Sequence, residues 1–325
     1  MKISVLTPTY KSLSYLKEAF DSLFAQDYKN FEVIICNDSQ DDATELQDFL
    51  VKNYSDFLSQ IKLIQNEVNL GYSLNIRKCF ENSDGDVVFL FAQDDVITKT
   101  THFSEIINIY ENDNSIGFIS RPYFWFDGSI NHKLRRTPKS DLRVIKNNSS
   151  KKDILTLISS LGQLSGLSFR RYPNLDYFFT PFIFTAHVYP FLQNFLISDC
   201  YFLDYDSIAV RASSSQTTFV SSIYNPSPTL TWIEMANDIF ENNNYLREIF
   251  IEDFGKNYVG LLQIKNYGYF KDLLSDIYYL VKFRPKNLIS PIFWVFVFTV
   301  ILIPKGILIA AISFYKNHIN SKFIN

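Results

Sequence analysis

The chain has 325 residues, enough for one large domain with appendages, and its formal net charge of −3 gives no indication of nucleic-acid binding. Cys36, Cys79 and Cys200 are an odd number of cysteines without the spacing of metal ligands, which favours a reducing compartment. The first residues already have the pattern of a strand, so we expect no export signal.

Predicted strands and helices alternate along the N-terminal half. Strands are predicted at 2–10, 31–36 and 61–64 and in the apolar run that ends at Asp94, with helices at 16–24 and 69–82. This alternation implies an α/β protein with a mostly parallel sheet, right-handed crossovers and flanking helices. Polar clusters follow the first, second and fourth strands, so three loops are expected to meet at one edge of the sheet.

Two adjacent carboxylates, Asp94 and Asp95, end the fourth predicted strand. Sheets of this class bind ligands at the carboxyl ends of their strands. Two acids side by side are costly there unless a cation lies between them, which suggests a divalent metal held for a phosphate-bearing substrate. An isolated pair of acids is more often the start of a surface turn. Whether Asp94 and Asp95 form a metal site must therefore be judged from the neighbouring motifs.

Six short motifs in the first hundred residues resemble family 2 glycosyltransferases of the GT-A fold, and they occur in that family's order. They lie at 4–10, 22–26, 31–39, 69–72, 85–86 and 92–95. The resemblance fades after about Phe118 and returns at 165–171, which is similar to the family's acceptor-side strand. The subset that the chain resembles most is the bacterial cell-surface polysaccharide transferases, including abequosyltransferase-like members.

The resemblance implies a nucleotide-sugar donor and a divalent metal, Mn²⁺ or Mg²⁺. Asp38 would accept a hydrogen bond from the base, although an Asx-turn after a strand is the structural alternative. Asp94 and Asp95 would hold the ribose and the metal on the diphosphate, where the metal stabilises the leaving nucleotide. The family often has an Asp where this chain has Ala92, which leaves open which acid binds the metal. The implied nucleotide-sugar-binding residues are Pro8, Thr9, Tyr10, Asp38, Asn69, Gly71 and Asp94.

An inverting transfer needs a group that takes the proton of the acceptor hydroxyl. Family 2 members usually carry a Glu-Asp pair after the Ser-Gly strand, and residues 185–190 contain no such pair. His187 stands there instead, which resembles the abequosyltransferase-like members, and imidazole has a suitable pKa. His187 is the predicted base, with Asp199 and Asp176 as alternatives, and packing among aromatic residues is its structural alternative.

We predict three regions: a GT-A domain at 1–225, a helical extension at 226–284 and a membrane-associated segment at 285–325. The last region contains two apolar runs, 288–304 and 306–315, preceded by several basic residues. Because a bilayer span needs about 20 apolar residues, a tilted span, a re-entrant hairpin and a surface-lying helix pair all remain open. A buried helix pair is the soluble alternative. The basic stretch 131–152 could meet anionic headgroups or an acceptor diphosphate.

The sequence therefore predicts an inverting glycosyltransferase of bacterial surface polysaccharide synthesis, such as O-antigen or capsule, at the cytoplasmic face of the inner membrane. Its acceptor would be a saccharide linked to polyprenyl diphosphate, with membrane lipid as a further partner. A nicotinamide-dependent dehydrogenase is excluded because Pro8, Thr9 and Tyr10 stand where it needs a Gly-x-Gly-x-x-Gly turn. A non-catalytic, sugar-nucleotide-binding scaffold is the remaining alternative, favoured by the missing acid pair and by Ala92.

Overall fold

The computed structural model describes residues 1–11, 13–173, 186–212 and 221–318. The chain forms two compact units. The first comprises Met1–Asn131, Arg136–Pro181 and Ala186–Arg211, and the second comprises His132–Arg135, Phe182–Thr185 and Ala212–Asn325. The predicted regions 226–284 and 285–325 both lie within the second unit.

Twelve strands are described. They are β1 Ile3–Thr9, β2 Phe31–Asn37, β3 Ile61–Gln65, β4 Val87–Leu90, β5 Val96–Ile97, β6 Ile116–Ser120, β7 Tyr123–Asp127, β8 Ser129–Arg136, β9 Val144–Ile145, β10 Ser168–Arg170, β11 Asp199–Phe202 and β12 Ile208–Arg211. Eight of them form one sheet in the order β3-β2-β1-β4-β10-β6-β11-β9, and β5-β12-β7-β8 form a smaller one. The four N-terminal strands that the sequence predicts are confirmed to within a few residues.

Strand direction decides which side chains can meet. β1 runs parallel to β2 and β4, and β2 runs parallel to β3, as the alternating pattern predicted. β10 is antiparallel to both β4 and β6, so β6 has the same direction as β4. β11 is parallel to β6. The carboxyl ends of β1, β2, β4 and β6 therefore lie at one edge of the sheet, and the amino end of β11 lies at the other.

Helices cover this sheet because their apolar residues recur at helical spacing. In the first unit they are α1 Leu13–Phe24, α2 Ala43–Asn53, α3 Gly71–Glu81, α4 His102–Asn112, α5 Lys151–Ser160 and α6 Tyr189–Ile197. α1 buries all five residues whose spacing predicted it, which are Leu16, Ala19, Phe20, Leu23 and Phe24. Full burial of each large apolar side chain contributes about 1.5–3 kcal/mol, so this face fastens α1 to the strands.

The described part of the second unit is mainly helical. Its helices are α7 Pro228–Ile239, α8 Asn244–Phe254, α9 Val259–Tyr267, α10 Phe270–Phe283, α11 Pro291–Leu302 and α12 Lys305–His318. Residues from α9, α10 and α11 share one apolar core, with Leu261, Leu280 and Phe293 fully buried. No helix within the described ranges combines the length and the apolar character that a bilayer crossing needs. Membrane association of this region stays a prediction.

Candidate active site

The loop after β2 contains Asp38, which is 3% exposed and accepts hydrogen bonds from the backbone at the start of α3. Its Oδ1 accepts hydrogen bonds from the Leu70 N–H at 2.7 Å and from the Asn66 amide at 2.8 Å. Its Oδ2 accepts from the Gly71 N–H at 2.8 Å. A carboxylate is favourable here because the first N–H groups of a helix have no partner within it. Since a carboxylate accepts about four hydrogen bonds, Asp38 keeps room for a further donor such as a base N–H.

The end of β1 and the loop that follows it are joined to neighbouring loops through the backbone of Thr9 and Tyr10. The carbonyl of Thr9 accepts from the Asp38 N–H at 2.9 Å. The Gln93 side chain accepts from the Tyr10 N–H at 2.8 Å and donates to the Tyr10 carbonyl at 3.1 Å. Asn69 donates to the Asp38 carbonyl at 3.2 Å. The structure thus brings together the predicted residues that follow β1, β2 and β4 and those that begin α3.

The two adjacent acids after β4 have different surroundings. Asp95 is 2% exposed, and its Oδ2 accepts from the Ser165 hydroxyl at 2.6 Å while its Oδ1 accepts from the Arg211 N–H at 3.0 Å. Asp94 is only partly buried. A cation could reach Asp94 without breaking these contacts, whereas direct binding by Asp95 would compete with Ser165 and Arg211.

Burial and charge also act on the pKa of Asp95. Burial, and next the charge of Asp94, raise the pKa of Asp95 to about 8, against the opposing influence of Ser165 and nearby Arg121. Among the described residues, no three His, Cys, Asp or Glu side chains cluster as a metal site. Mg²⁺ and similar cations are usually held by one or two carboxylates together with substrate phosphates. Asp94, as a single partly buried carboxylate, fits a cation whose other ligands come from the substrate and water.

Arg121, which directly follows β6, is a residue that sequence analysis missed. Its side chain is fully buried and donates to the carbonyls of Ser160 at 2.8 Å and Gln163 and Ser165 at 2.7 Å. Burial lowers its pKa to about 10. Arg121 thereby holds the loop that presents the Ser165 hydroxyl to Asp95. Its position as a charged residue between two strongly apolar strands could have indicated a buried structural role from the sequence.

Arg211, at the end of β12, is the second missed residue. Its guanidinium lies 4.5 Å from the ring centre of Tyr15 and 4.6 Å from that of Phe126, and it is ion-paired with Glu18. Its Nε donates to the Asp94 carbonyl at 3.2 Å. Arg211 therefore fixes the backbone of the loop on which the two acids lie.

The predicted base, His187, is 7% exposed. Its Nε2 lies 2.9 Å from the Leu161 carbonyl, so Nε2 carries the proton and Nδ1 is the acceptor nitrogen. Burial lowers the pKa of His187 to about 4, which keeps it neutral near pH 7. Nδ1 has no hydrogen-bond partner in the described part of the chain, and the Tyr72 ring centre is 6.0 Å away. This tautomer can accept a proton, and the role of His187 stays a prediction.

Asp199, the first alternative to His187, is placed by the strand directions. It is the first residue of β11 and pairs with Ile116, the first residue of β6. Because both strands run in the direction of β4, Asp199 lies at the edge of the sheet opposite Asp94. Its carboxylate is 3.2 Å from the Lys146 ammonium. Asp176, the second alternative, lies outside the described residues.

A family profile described as Glycosyl transferase family 2 matches residues 4–178. The chain belongs to this family. It is 33% identical over 96 residues to the putative glycosyltransferase EpsE of Bacillus subtilis, covering 29% of this chain and 34% of that protein. It is 36% identical over 104 residues to the poly(ribitol-phosphate) beta-N-acetylglucosaminyltransferase TarS of Staphylococcus aureus, covering 31% of this chain and 18% of TarS. These alignments span about a third or less of the relatives' length.

The fold is also similar to that of solved structures. The crystal structure of S. aureus TarS 1–349 in complex with UDP-GlcNAc matches with a TM-score of 0.65 at 17% identity, over 87% of this chain and 80% of that one. The complex of the same fragment with UDP gives a TM-score of 0.64. At this identity the likeness shows the fold alone, and it confirms the predicted α/β architecture of GT-A type. The similarity to abequosyltransferase-like members stays a prediction.

Proposed function

We propose that this chain moves a sugar from a nucleoside-diphosphate sugar to a saccharide acceptor during the synthesis of a bacterial surface polymer, with inversion at the transferred carbon. One observation carries this proposal. Asp94 is a partly exposed acid on the loop after β4. Hydrogen bonds between Gln93 and Tyr10 and between Ser165 and Asp95 fix the geometry of this loop. Membership of family 2 and a relative named as an N-acetylglucosaminyltransferase support the reaction class.

The nucleoside would bind where the loops after β1 and β2 meet. Tyr10 is 37% exposed and offers a ring face on which a base can stack. Asp38 would accept the base N–H through its remaining acceptor position. Pro8 and Thr9 would line the same place from the end of β1, and Asn69 and Gly71 would do so from the start of α3.

The diphosphate would lie at Asp94, whose carboxylate would help to hold Mn²⁺ or Mg²⁺. When bound, such a cation stabilises the negative charge that develops on the leaving nucleotide. Asp95 then acts through position: its contacts with Ser165 and Arg211 fix the loop so that Asp94 faces the donor. The sequence assigned metal binding to both acids, whereas here Asp94 is proposed to bind the metal and Asp95 to position the loop.

The acceptor hydroxyl would give its proton to Nδ1 of His187, the unprotonated nitrogen of the neutral ring. The acceptor is proposed to be a saccharide on polyprenyl diphosphate, as expected for O-antigen or capsule synthesis. Sugar nucleotides are made in the cytoplasm, so the reaction is placed at the cytoplasmic face of the inner membrane.

Calorimetric titration of the purified full-length chain with sugar nucleotides, with and without Mn²⁺, tests the proposal. The wild type should bind at least one of them in a metal-dependent way, and Asp94→Asn should weaken this binding at least about tenfold, because a charge-assisted contact is lost. Asp48→Asn, an exposed acid on α2, is the matched control and should bind normally.

Turnover separates the enzyme from the scaffold alternative. Release of nucleoside diphosphate in the presence of saccharide acceptors, with mass spectrometry of the product, should show transfer of one sugar. Metal-dependent binding without any turnover would favour the non-catalytic scaffold. Failure to bind any sugar nucleotide, with or without metal, would refute the proposed function.

A further inference from the structure

Helix α11 is apolar around its whole circumference, yet only one side of it is covered. Phe293, Val297 and Val300 recur at helical spacing and are at most 4% exposed in the core that they share with α9 and α10. The opposite side contains no charged residue and faces outward in the second unit. Its exposed large apolar residues are Ile292, Trp294, Val295, Phe298, Ile301 and Leu302. An all-apolar helix is usually covered on every side, so this face calls for a partner.

Exposed apolar residues also occur along the chain on either side of α11. Before it, Ile289 is 84% exposed in the 3₁₀ turn Pro285–Ile289. After it, Ile307 on α12 is 62% exposed. Apolar side chains at this exposure are normal when they are scattered singly, but here they follow one another from the turn to the second helix. We call the set formed by these two residues and the six exposed residues of α11 the apolar face.

The charged residues of the chain segment that carries the apolar face have one sign. After Asp276 the sequence contains no Asp or Glu at all, whereas it contains six basic residues, which are Lys282, Arg284, Lys286, Lys305, Lys316 and Lys322. Arg284 is ion-paired with Glu252 at 3.0 Å. Lys282 near the end of α10, Lys286 in the following 3₁₀ turn and Lys305 at the start of α12 are all exposed. An exposed apolar helix whose flanking sequence carries only basic charges is complementary to anionic lipid.

We propose that the apolar face docks into the headgroup region of an anionic lipid bilayer, while Phe293, Val297 and Val300 stay in the protein core. Because that inner side is occupied by protein, α11 lies along the membrane surface with only its outer side in lipid. Trp294 lies on this side, and its Nε1 donates to the Leu288 carbonyl at 2.8 Å. Tryptophan is typical of the interfacial level of a bilayer, where one side is apolar and the other is wet.

A second copy of the chain is a poorer occupant. A two-fold contact through the apolar face would bring Lys282, Lys286 and Lys305 of both copies towards each other, and like charges across an interface are unfavourable. Anionic headgroups would instead neutralise them. The sequence left open a span, a re-entrant hairpin, a surface-lying helix pair and a buried pair. With one side of α11 in protein and the other in lipid, the surface-lying arrangement is the one proposed.

Vesicle flotation of the purified full-length chain tests the proposal. With vesicles of phosphatidylcholine and phosphatidylglycerol, the wild type should float with the lipid. A variant combining Val295→Asp and Leu302→Asp should lose binding at least about tenfold, because two charges replace side chains that are 62% and 72% exposed on the apolar face. Val51→Asp, at a 52% exposed valine on α2, is the matched control and should float like the wild type.

Three further measurements complete the test. Replacing Lys282, Lys286 and Lys305 together by Gln should weaken binding to the anionic vesicles, by roughly fivefold for each lysine. Sedimentation equilibrium should show that the wild type and the aspartate variant have the same oligomeric state, and both should unfold at the same temperature. Wild-type chain that does not float, Val51→Asp that loses binding as well, or a dimer that the aspartate variant dissociates would each overturn the proposal.

Discussion

The Ser165 hydroxyl donates a 2.6 Å hydrogen bond to the Oδ2 of Asp95 and accepts one from the Ala92 N–H at 2.8 Å. These residues belong to two motifs about seventy positions apart in the sequence. One hydroxyl therefore joins the start of the Ser-Gly strand to the loop that carries the two acids. The position of Asp94 depends on this contact although Asp94 takes no part in it.

Ser165→Ala should reduce both stability and activity. The change leaves the buried Asp95 oxygen and the Ala92 N–H without their partner, which costs about 1–3 kcal/mol of unfolding free energy. Urea denaturation measures this loss, and kcat should fall because the acid loop is no longer held. Ser159→Ala, an exposed hydroxyl on α5, should change neither quantity. Equal behaviour of the two variants would show that the Ser165 contact is unimportant.

Gly166→Ala should destabilise the protein more than Gly128→Ala. Both glycines have positive φ, +82° and +65°, so both substitutions pay about 1 kcal/mol or more of backbone strain. A Cβ at 166 would also lie 2.4 Å from Cγ1 of Ile208 and 3.0 Å from Nε of Arg121, whereas a Cβ at 128 meets nothing within 4 Å. Thermal unfolding of the two variants isolates the steric part. Similar losses in both would contradict the packing described at Gly166.

Asp199→Asn should leave turnover close to the wild-type value, because Asp199 lies at the edge of the sheet away from Asp94. Loss of its contact with the largely exposed Lys146 removes at most about 1 kcal/mol of stability. His187→Ala should lower turnover by about two to four orders of magnitude, the usual contribution of a general base. Steady-state kinetics on both variants decides the assignment, and donor binding serves as the control for folding. The reverse ranking would return the role to Asp199.

His187 should also make the folded state sensitive to acid. Burial lowers its pKa from 6.5 to about 4, so below pH 6.5 the unfolded chain takes up a proton that the folded chain refuses. The stability is fully present above pH 6.5 and is lost as the pH falls towards 4, by up to about 3 kcal/mol. His102, whose pKa burial lowers to about 3, acts in the same direction.

Denaturant unfolding between pH 7 and pH 4 measures this effect. His187→Gln should flatten the pH dependence of the unfolding free energy, whereas substitution of the exposed His132 by Gln should preserve it. An unchanged slope in His187→Gln would mean that this side chain is not the buried neutral imidazole described.

Periodicity in the sequence determined only part of the N-terminal half, since the helices α2 and α4 were not predicted. Apolar spacing correctly predicted α1, α3 and the four parallel strands. Burial of a helix on one face, or of a strand on both faces, requires apolar residues at regular positions that can be recognised locally in the sequence. The motif loops followed from the same reasoning, since they occupy the ends of strands that must share an edge. The remaining strands, β5 to β12, range from two residues in β5 and β9 to eight in β8, and they lie in a region where no such pattern was recognised.

Only the tertiary structure distinguished Asp94 from Asp95. The two residues are chemically identical neighbours, and the partners that bury one of them, Ser165 and Arg211, come from distant parts of the chain. Strand direction likewise moved Asp199 to the far edge, which no spacing along the sequence reveals. In α11 every side is apolar, so the sequence could not tell which half packs on protein. That choice depends on where α9 and α10 lie, and it leaves the other half exposed.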